Sequence, residues 1–484
     1  MSARGDRQPE AELGLLDATM IGMGAMIGAG IFVLTGLATE IAGPAAVLVF
    51  ALNGVVTAFT GLSYAELAAA IPKSGGGYAF VREVFGDFAS FGMGWMLWFA
   101  YMIAGALYAL GFAPNFVELL SVYGLAPPPD ELGAVMVPGI GVGIDGSFLL
   151  AFAAIGFLVA LNAASTAASG SIETIFTAVK VSILIVFVAF GAAAPAFSTA
   201  EFQPLFTGDG GPVSILPAMG LTFIAFEGYD LITTVTEEVE NPRENIPRAI
   251  FISLSVTVVV YLTVVVVAIG TLGAEGVAAA GEAGIARAAT SFMPTGLPVI
   301  RNGGALIAFG AVFSTLTALN AVVIASSRVA FSMGREGQLV PSIGRIHPRF
   351  GTPFVAVLVS AVVMLGSVLL PTRIAGNVSS LFFLLSFVVV NAAVIRLRRS
   401  KPDLNRPYEM PFYPVPPVLG IVLNLLLTGV LVVYLVRTDP IALVLTAGWL
   451  AAGAVAYVVL RRLRRVREPV EDREPPEAPV GDND

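Results

Sequence analysis

Polar positions are sparse along this chain and collect in short clusters between long apolar stretches. About 20 apolar residues cross a bilayer as a helix. On that measure the pattern predicts twelve spanning helices, near residues 17–38, 44–70, 85–113, 147–163, 172–191, 214–236, 247–272, 302–330, 353–370, 374–396, 415–437 and 440–460. Only Leu370-Pro371-Thr372-Arg373 separates the ninth from the tenth. Two runs are interrupted. The first contains Gly24-Ala25-Met26-Ile27-Gly28-Ala29-Gly30-Ile31-Phe32, with three glycines in seven positions. Glycine costs about 1 kcal/mol relative to Ala inside a helix, so the backbone opens more easily here than in neighbouring runs. The sixth contains Gly220-Leu221-Thr222-Phe223-Ile224-Ala225-Phe226-Glu227-Gly228-Tyr229-Asp230, which puts two acids and a glycine inside an apolar span. Five runs precede this second break, and broken helices at corresponding positions of two halves point to an inverted-repeat transporter. An odd offset of five turns the second half the other way up.

Composition agrees with the pattern. Of 484 residues, 56% are hydrophobic and 12% charged, against about 25% charged in soluble domains. The chain is therefore read as an integral membrane protein. It has no cysteine, which removes disulfides, thiolate catalysis and Cys-ligated metals together. Its single histidine, His347, lies in a polar loop. With no His-Glu-x-x-His and no nucleophile–base pair, neither an enzyme nor a cofactor is expected. A channel is disfavoured, since no ring of like charges repeats along the spans. Nucleic acid is not an expected partner.

The net charge is −8, carried by acids at the ends and in loops. Basic residues stay on the cytoplasmic side of a membrane. With the N-terminus inside, 21 of the 26 Lys and Arg are cytoplasmic, four (Arg287, Arg301, Arg373, Arg437) are outside, and Lys180 lies within a span. Both termini are thus expected to be cytoplasmic. Met1–Asp17 is polar and of mixed charge, unlike a secretory signal. The expected organisation is a cytoplasmic segment 1–14, a transporter domain 15–462, and a disordered acidic tail 463–484.

In the first break, the amides of Gly28, Ala29 and Gly30 can face an anion from the N-terminus of a half-helix. The alternative is plain close packing, since Gly24-x-x-x-Gly28 is also a small-xxx-small pattern. Glu227 costs about 2.5–3.5 kcal/mol at the centre of a span and should face the interior or a cavity. There it meets a substrate ammonium, carries a proton or braces the unwound segment. Phe223, Phe226 and Tyr229 form either an aromatic gate or ordinary packing. Lys180 is flanked by apolar residues, so it must pair, meet carbonyls or lose its proton, unless it snorkels to the interface. In the eighth run Ser314, Thr315, Thr317 and Asn320 stand at helical spacing, for interhelical bonds or for a cation or lysine site facing the first helix.

Four ordered stretches resemble the amino acid–polyamine–organocation (APC) permeases. They are Gly24–Phe32; Phe226-Glu227-Gly228-Tyr229-Asp230 with Glu237-Glu238 and Asn241-Pro242; Ser327-Arg328-Val329-Ala330-Phe331-Ser332-Met333-Gly334-Arg335-Glu336-Gly337; and His347-Pro348-Arg349-Phe350-Gly351-Thr352-Pro353. The resemblance implies an all-α, LeuT-like fold of five plus five inverted-repeat helices (core 17–396, peripheral pair 415–460) with discontinuous first and sixth helices. It implies an amino acid substrate held by Met26, Ile27, Gly28, Ala29, Gly30, Phe223, Ala225, Phe226 and Glu227. Its carboxylate would lie at Gly28–Gly30 and its α-amine at carbonyls near Phe223–Phe226. Lys180 resembles the fifth-helix lysine of proton-coupled members, with Ser314 and Thr317 as partners. The function so implied is proton-coupled symport of an amino acid across the plasma membrane, sodium being the less favoured ion. Exchange of amino acids or polyamines, and a non-transporting nutrient sensor, are the alternatives.

Overall fold

A computed structural model describes residues 13–73, 75–127, 135–137, 142–144, 146–164, 170–206, 211–293 and 302–467. Residues 1–12, and 468–484 of the tail expected to be disordered, lie outside this set.

Helix α1 (Leu15–Met26) is followed after a two-residue break by α2 (Ala29–Ala42). A short 3-10 turn at Gly43–Ala45 then leads into α3 (Ala46–Ala70). An amphipathic helix, α4 (Gly76–Phe85), buries Tyr78, Phe80 and Val81 and precedes the long α5 (Asp87–Val122). The segment 114–146, read from sequence as a loop, holds the last turns of α5 and a small antiparallel hairpin, β1 (Val135–Val137) on β2 (Val142–Ile144). Helices α6 (Gly146–Ala164) and α7 (Gly170–Ala192) follow. The second interrupted run starts with α8 (Ile215–Thr222) and continues as 3-10 helix over Phe223–Phe226 and Asp230–Glu238. Helix α9 (Pro242–Leu272) leads to two short helices, α10 (Ala274–Ala279) and α11 (Gly284–Phe292), where the sequence suggested only loop. The chain ends with α12 (Gly303–Arg335), α13 (Phe354–Ser367), α14 (Thr372–Ser400), α15 (Val415–Thr438) and α16 (Pro440–Arg467).

Among the described residues ten helical segments are long and apolar enough to cross a membrane. Two features separate this count from the twelve apolar runs. Helix runs almost without pause through Gly43-Pro44-Ala45, so the first two runs form one path of 56 residues, Leu15–Ala70. Helix α13 has only 14 residues, about 21 Å at 1.5 Å per residue, short of a hydrocarbon core of about 30 Å. Other boundaries also moved. Helix α5 continues past Pro114, where the third run was expected to stop; the missing N–H deprives the Leu110 carbonyl of its partner, and in a membrane such groups are tolerated where neighbouring helices and side chains surround them. Helix α16 reaches Arg467, so the first residues assigned to the disordered tail are helical.

Burial sorts the helices into centre and periphery. The most apolar window of α5 is 94% buried and that of 211–238 is 89% buried, whereas α15 reaches 28% and α16 only 6%. Lipid offers no hydrophobic drive between helices, so close approach through small residues takes its place. Gly28 fits against Ala318 and Gly30 against Ala225, where a Cβ would come within 2.5 and 2.8 Å. At one end of the molecule α3 is tied to α14: the buried Glu66 carboxylate takes both bonds of the Arg398 guanidinium at 2.7 Å and the Met410 amide at 2.9 Å.

Candidate functional site: two helix breaks in contact

The last carbonyls of a helix have no partner within it. At the end of α1 the backbone leaves the helix at Ile27 (φ −75°, ψ 51°) and Gly28 (φ −93°, ψ −129°). The Ile27 amide still bonds Met23 at 2.8 Å, but the carbonyls that follow turn to side chains from three other helices. Lys180 of α7 donates to the Gly24 carbonyl at 2.9 Å. Tyr261 of α9 donates to Met26, and Ser314 of α12 to Ile27. The Gly28 carbonyl is 3.3 Å from the same Ser314 hydroxyl. Helix α2 then restarts at Ala29, its first turn aimed back at the break.

The second break lies against the first. After the 3-10 turn Phe223–Phe226, Glu227 is extended (φ −78°, ψ 153°) and Gly228 takes φ 126°, open only to glycine without strain. A Cβ on Gly228 would sit 2.6 Å from the Met26 nitrogen and from Ala25 Cβ. The peptide is pinned by Asp230, whose carboxylate accepts from the Gly228 amide at 2.9 Å and the Tyr101 hydroxyl at 2.6 Å. The Ile224 amide donates to Ser380 at 3.2 Å, and Tyr261 reaches the Ala225 carbonyl at 2.9 Å. Tyr261 thus stands between the carbonyls of both breaks.

Lys180 is fully buried. Besides Gly24, its ammonium donates to the Thr317 hydroxyl at 2.8 Å, and Thr317 donates to the Ser314 carbonyl at 3.0 Å. The lysine, Thr317 and Ser314 therefore form one polar chain ending on the carbonyls of Ile27 and Gly28. A buried ammonium is tolerated only when such acceptors meet it.

Between the breaks lies a cavity of about 10 Å³, lined by Ala25, Tyr101, Tyr108, Glu227, Gly228, Leu231, Ala318, Ala321 and Val322. That is about the room one water needs, so the site is closed. On one side Gly36 of α2 packs on the Gly281 carbonyl. On the other, Leu13 exchanges backbone bonds with Glu238 and Glu240 at 3.0 and 2.9 Å. The Thr174 hydroxyl also bonds Asp17 at 2.9 Å there. Glu227 is buried, and its Oε1 has no hydrogen-bond partner among the described residues.

Of the residues singled out from sequence, Met26, Ile27, Gly28, Gly30, Ala225 and Glu227 meet at this junction with Lys180, Ser314 and Thr317. Ala29 starts α2; its side chain lies outside the description. The rings of Phe223 and Phe226 pack away from the cavity, on Phe387 (5.8 Å) and on Tyr261 (5.3 Å) and Phe50 (6.1 Å). Asn320 takes an ordinary interhelical bond from Asn162 at 2.7 Å, and Thr315 bonds its own helix at Ala311. Sequence reasoning missed Tyr261, Tyr101 and Tyr108. The single available signal was Tyr261 standing alone in the run Val258–Ala268, otherwise valine, leucine, threonine and alanine. Among the described residues no group of three or more His, Asp or Glu is placed to hold a metal.

Comparison with known proteins gives the family. The family model for amino acid permeases matches residues 13–459. The chain belongs to the amino acid permease family, within the APC superfamily. It is 31% identical over 470 residues to the branched-chain amino acid permease BcaP of Bacillus subtilis, covering 95% of this chain and 94% of that one. It is 28% identical to the methylthioribose transporter of the same organism (93% of each chain) and 28% identical to its serine/threonine exchanger SteT (86% of this chain, 90% of that one). The chain is thus a multi-pass membrane transporter of the amino acid permease family.

Proposed function

We propose that this permease moves an amino acid across the plasma membrane by alternating access, in symport with a proton. The proposed architecture is twelve spans, from α1–α2 to α16, in a single transporter domain over residues 15–462. The first ten would be two inverted repeats of five, with both termini cytoplasmic. The substrate is an amino acid whose carboxylate meets the amides of Gly28, Ala29 and Gly30. Its ammonium meets the carbonyls of the Phe223–Phe226 turn, Ala225 among them, and Met26, Ile27 and Glu227 complete the contacts. A carbonyl has two lone pairs, so Ala225 can accept from a ligand while Tyr261 still bonds it.

The observation that carries the coupling is the bridge from Lys180 to Gly24 and Thr317. A charged ammonium holds α1 against α12 through charge-assisted bonds, roughly twice as strong as neutral ones. Loss of the proton weakens both at once and frees α1 to swing. Ser314 and Thr317 relay that state to the carbonyls of Ile27 and Gly28. Exchange is the second reading, favoured by the exchanger among the relatives.

Uptake of labelled amino acids into proteoliposomes tests this. Symport predicts accumulation driven by an inward proton gradient, without sodium, and lost in Lys180→Ala while substrate-induced thermal stabilisation persists. Uptake that needs an internal amino acid and ignores the gradient would establish exchange instead.

A further inference from the structure

A second cavity lies away from the helix breaks. It opens at the start of α9, measures about 730 Å³, and is lined by Arg243, Glu244, Pro247, Arg248, Phe251 and Tyr408 with their neighbours. Its floor is aromatic, since the rings of Phe251 and Tyr408 meet at 5.5 Å. Its rim is basic. The Arg248 guanidinium is held by Glu244 at 2.7 Å with both side chains more than half exposed, and Arg243 is exposed beside them.

Beyond Arg243, the exposed positions of α9 form one continuous stripe: Glu244, Arg248, Ile252, Ser255, Val259 and Thr263, spaced by three or four residues. The charged members come first; Ile252 and Val259, 43% and 61% exposed, follow in alternation with Ser255 and Thr263. The second half of this stripe borders a groove between α7 and α9, about 500 Å³, lined by Leu184, Ile185, Val188, Val256, Val259 and Val260. From Arg248 to Val259 is 11 residues, about 16 Å along the helix. A basic cavity thus lies one acyl-chain length from an apolar groove on the same helix face.

We propose that this cavity and groove form a site for one anionic phospholipid, its phosphate at Arg243 and Arg248 and an acyl chain along Ile252 and Val259 into the α7–α9 groove. Basic pockets beside membrane helices suit anionic headgroups, at about 1 kcal/mol per Lys or Arg near the surface. The phosphate takes Arg248 from Glu244, exchanging an exposed ion pair of little worth for a charge-assisted bond. A soluble phosphate would share the headgroup chemistry, but it has no use for the apolar stripe. The site is built from α9, α7 and Tyr408, away from the helix breaks, and holds whether or not the transport reading is correct.

The test uses the delipidated full-length protein in detergent, titrated with dioleoylphosphatidylglycerol, dioleoylphosphatidylcholine and glycerol phosphate, with lipid retention followed by native mass spectrometry and melting temperature. Phosphatidylglycerol is expected to be retained one per chain and to raise the melting temperature, with phosphatidylcholine much weaker and glycerol phosphate without effect. Arg243→Gln with Arg248→Gln weakens retention by about tenfold or more, and Glu244→Gln strengthens it by releasing Arg248. Equal retention of the two lipids, an unaffected arginine variant, or a Glu244→Gln change in the opposite direction would overturn the proposal. Stabilisation by glycerol phosphate alone would assign the cavity to a soluble anion and likewise overturn it.

Discussion

At the residue scale, Tyr261 has one hydroxyl hydrogen between two carbonyls, those of Met26 and Ala225. Its ring is separately held by Phe50 at 5.7 Å and Phe226 at 5.3 Å. Tyr261→Phe therefore removes the bridge and leaves the packing. A buried polar group left without its partner costs about 1–3 kcal/mol, so the variant should melt lower and transport more slowly. Unchanged melting and uptake would mean that the hydroxyl links nothing. Lys180 stood out in the sequence because an ammonium among Val179, Val181 and Ile183 must pair, lose its proton or snorkel, and its burial against Gly24 and Thr317 leaves out the last. Tyr261 did not, because a tyrosine among valines is compatible with simple packing. The glycines were ambiguous for a different reason: the backbone breaks at Gly28, and both Gly28 and Gly30 are also seats for alanines. One residue can serve both ends when the break must lie against a neighbour.

At the element scale, the apolar runs located the helices, while their ends answered to contacts the pattern does not encode. Pro114 follows the end of the third run, yet α5 passes through it and goes on to Val122. The segment 273–301 had too little apolar length to read as helix; the turn between α10 and α11 lies on α2, where Gly36 meets the Gly281 backbone and Gly284 lies beside it. Helix α4 offers a measurable case. Glu83 joins Lys73 at 2.9 Å and Lys401 at 2.6 Å, linking α4 to the end of α14. The bond from Lys401, then that from Lys73, holds the Glu83 carboxyl below its ordinary value of 4.5. A carboxyl depressed in the folded state stabilises above its unfolded value, and that contribution disappears as pH falls through the folded one. Glu83→Gln should therefore lower the melting temperature modestly at neutral pH, since exposed pairs contribute about 0–1 kcal/mol. The gap from wild type should close as pH falls below the ordinary carboxyl value of 4.5 and through the depressed folded one. A gap that persists into acid would assign the effect to packing.

At the scale of the whole molecule, the closed site joins two separable closures. Gly36 on the Gly281 carbonyl seals one side, and Leu13 with Glu238 and Glu240 the other. A Cβ on Gly36 would fall 1.9 Å from that carbonyl oxygen. The obstacle is backbone, which cannot rotate aside, so Gly36→Ala must push α2 away from the turn before α11. On the proposed orientation this opens the outer closure and leaves the inner one intact. The chain has no cysteine, so Ala321→Cys, at the cavity wall, gives a single thiol to report the opening. A membrane-impermeant maleimide added outside whole cells should label that thiol faster when Gly36→Ala is present. Added to inside-out vesicles, it should label no faster than without the change. Saturating substrate should slow the outside reaction, because an occupied site draws the breaks together and refills the cavity. Equal acceleration from both sides would show general loosening in place of a directed opening. No acceleration on either side would show that the Gly36 contact does not hold the site shut.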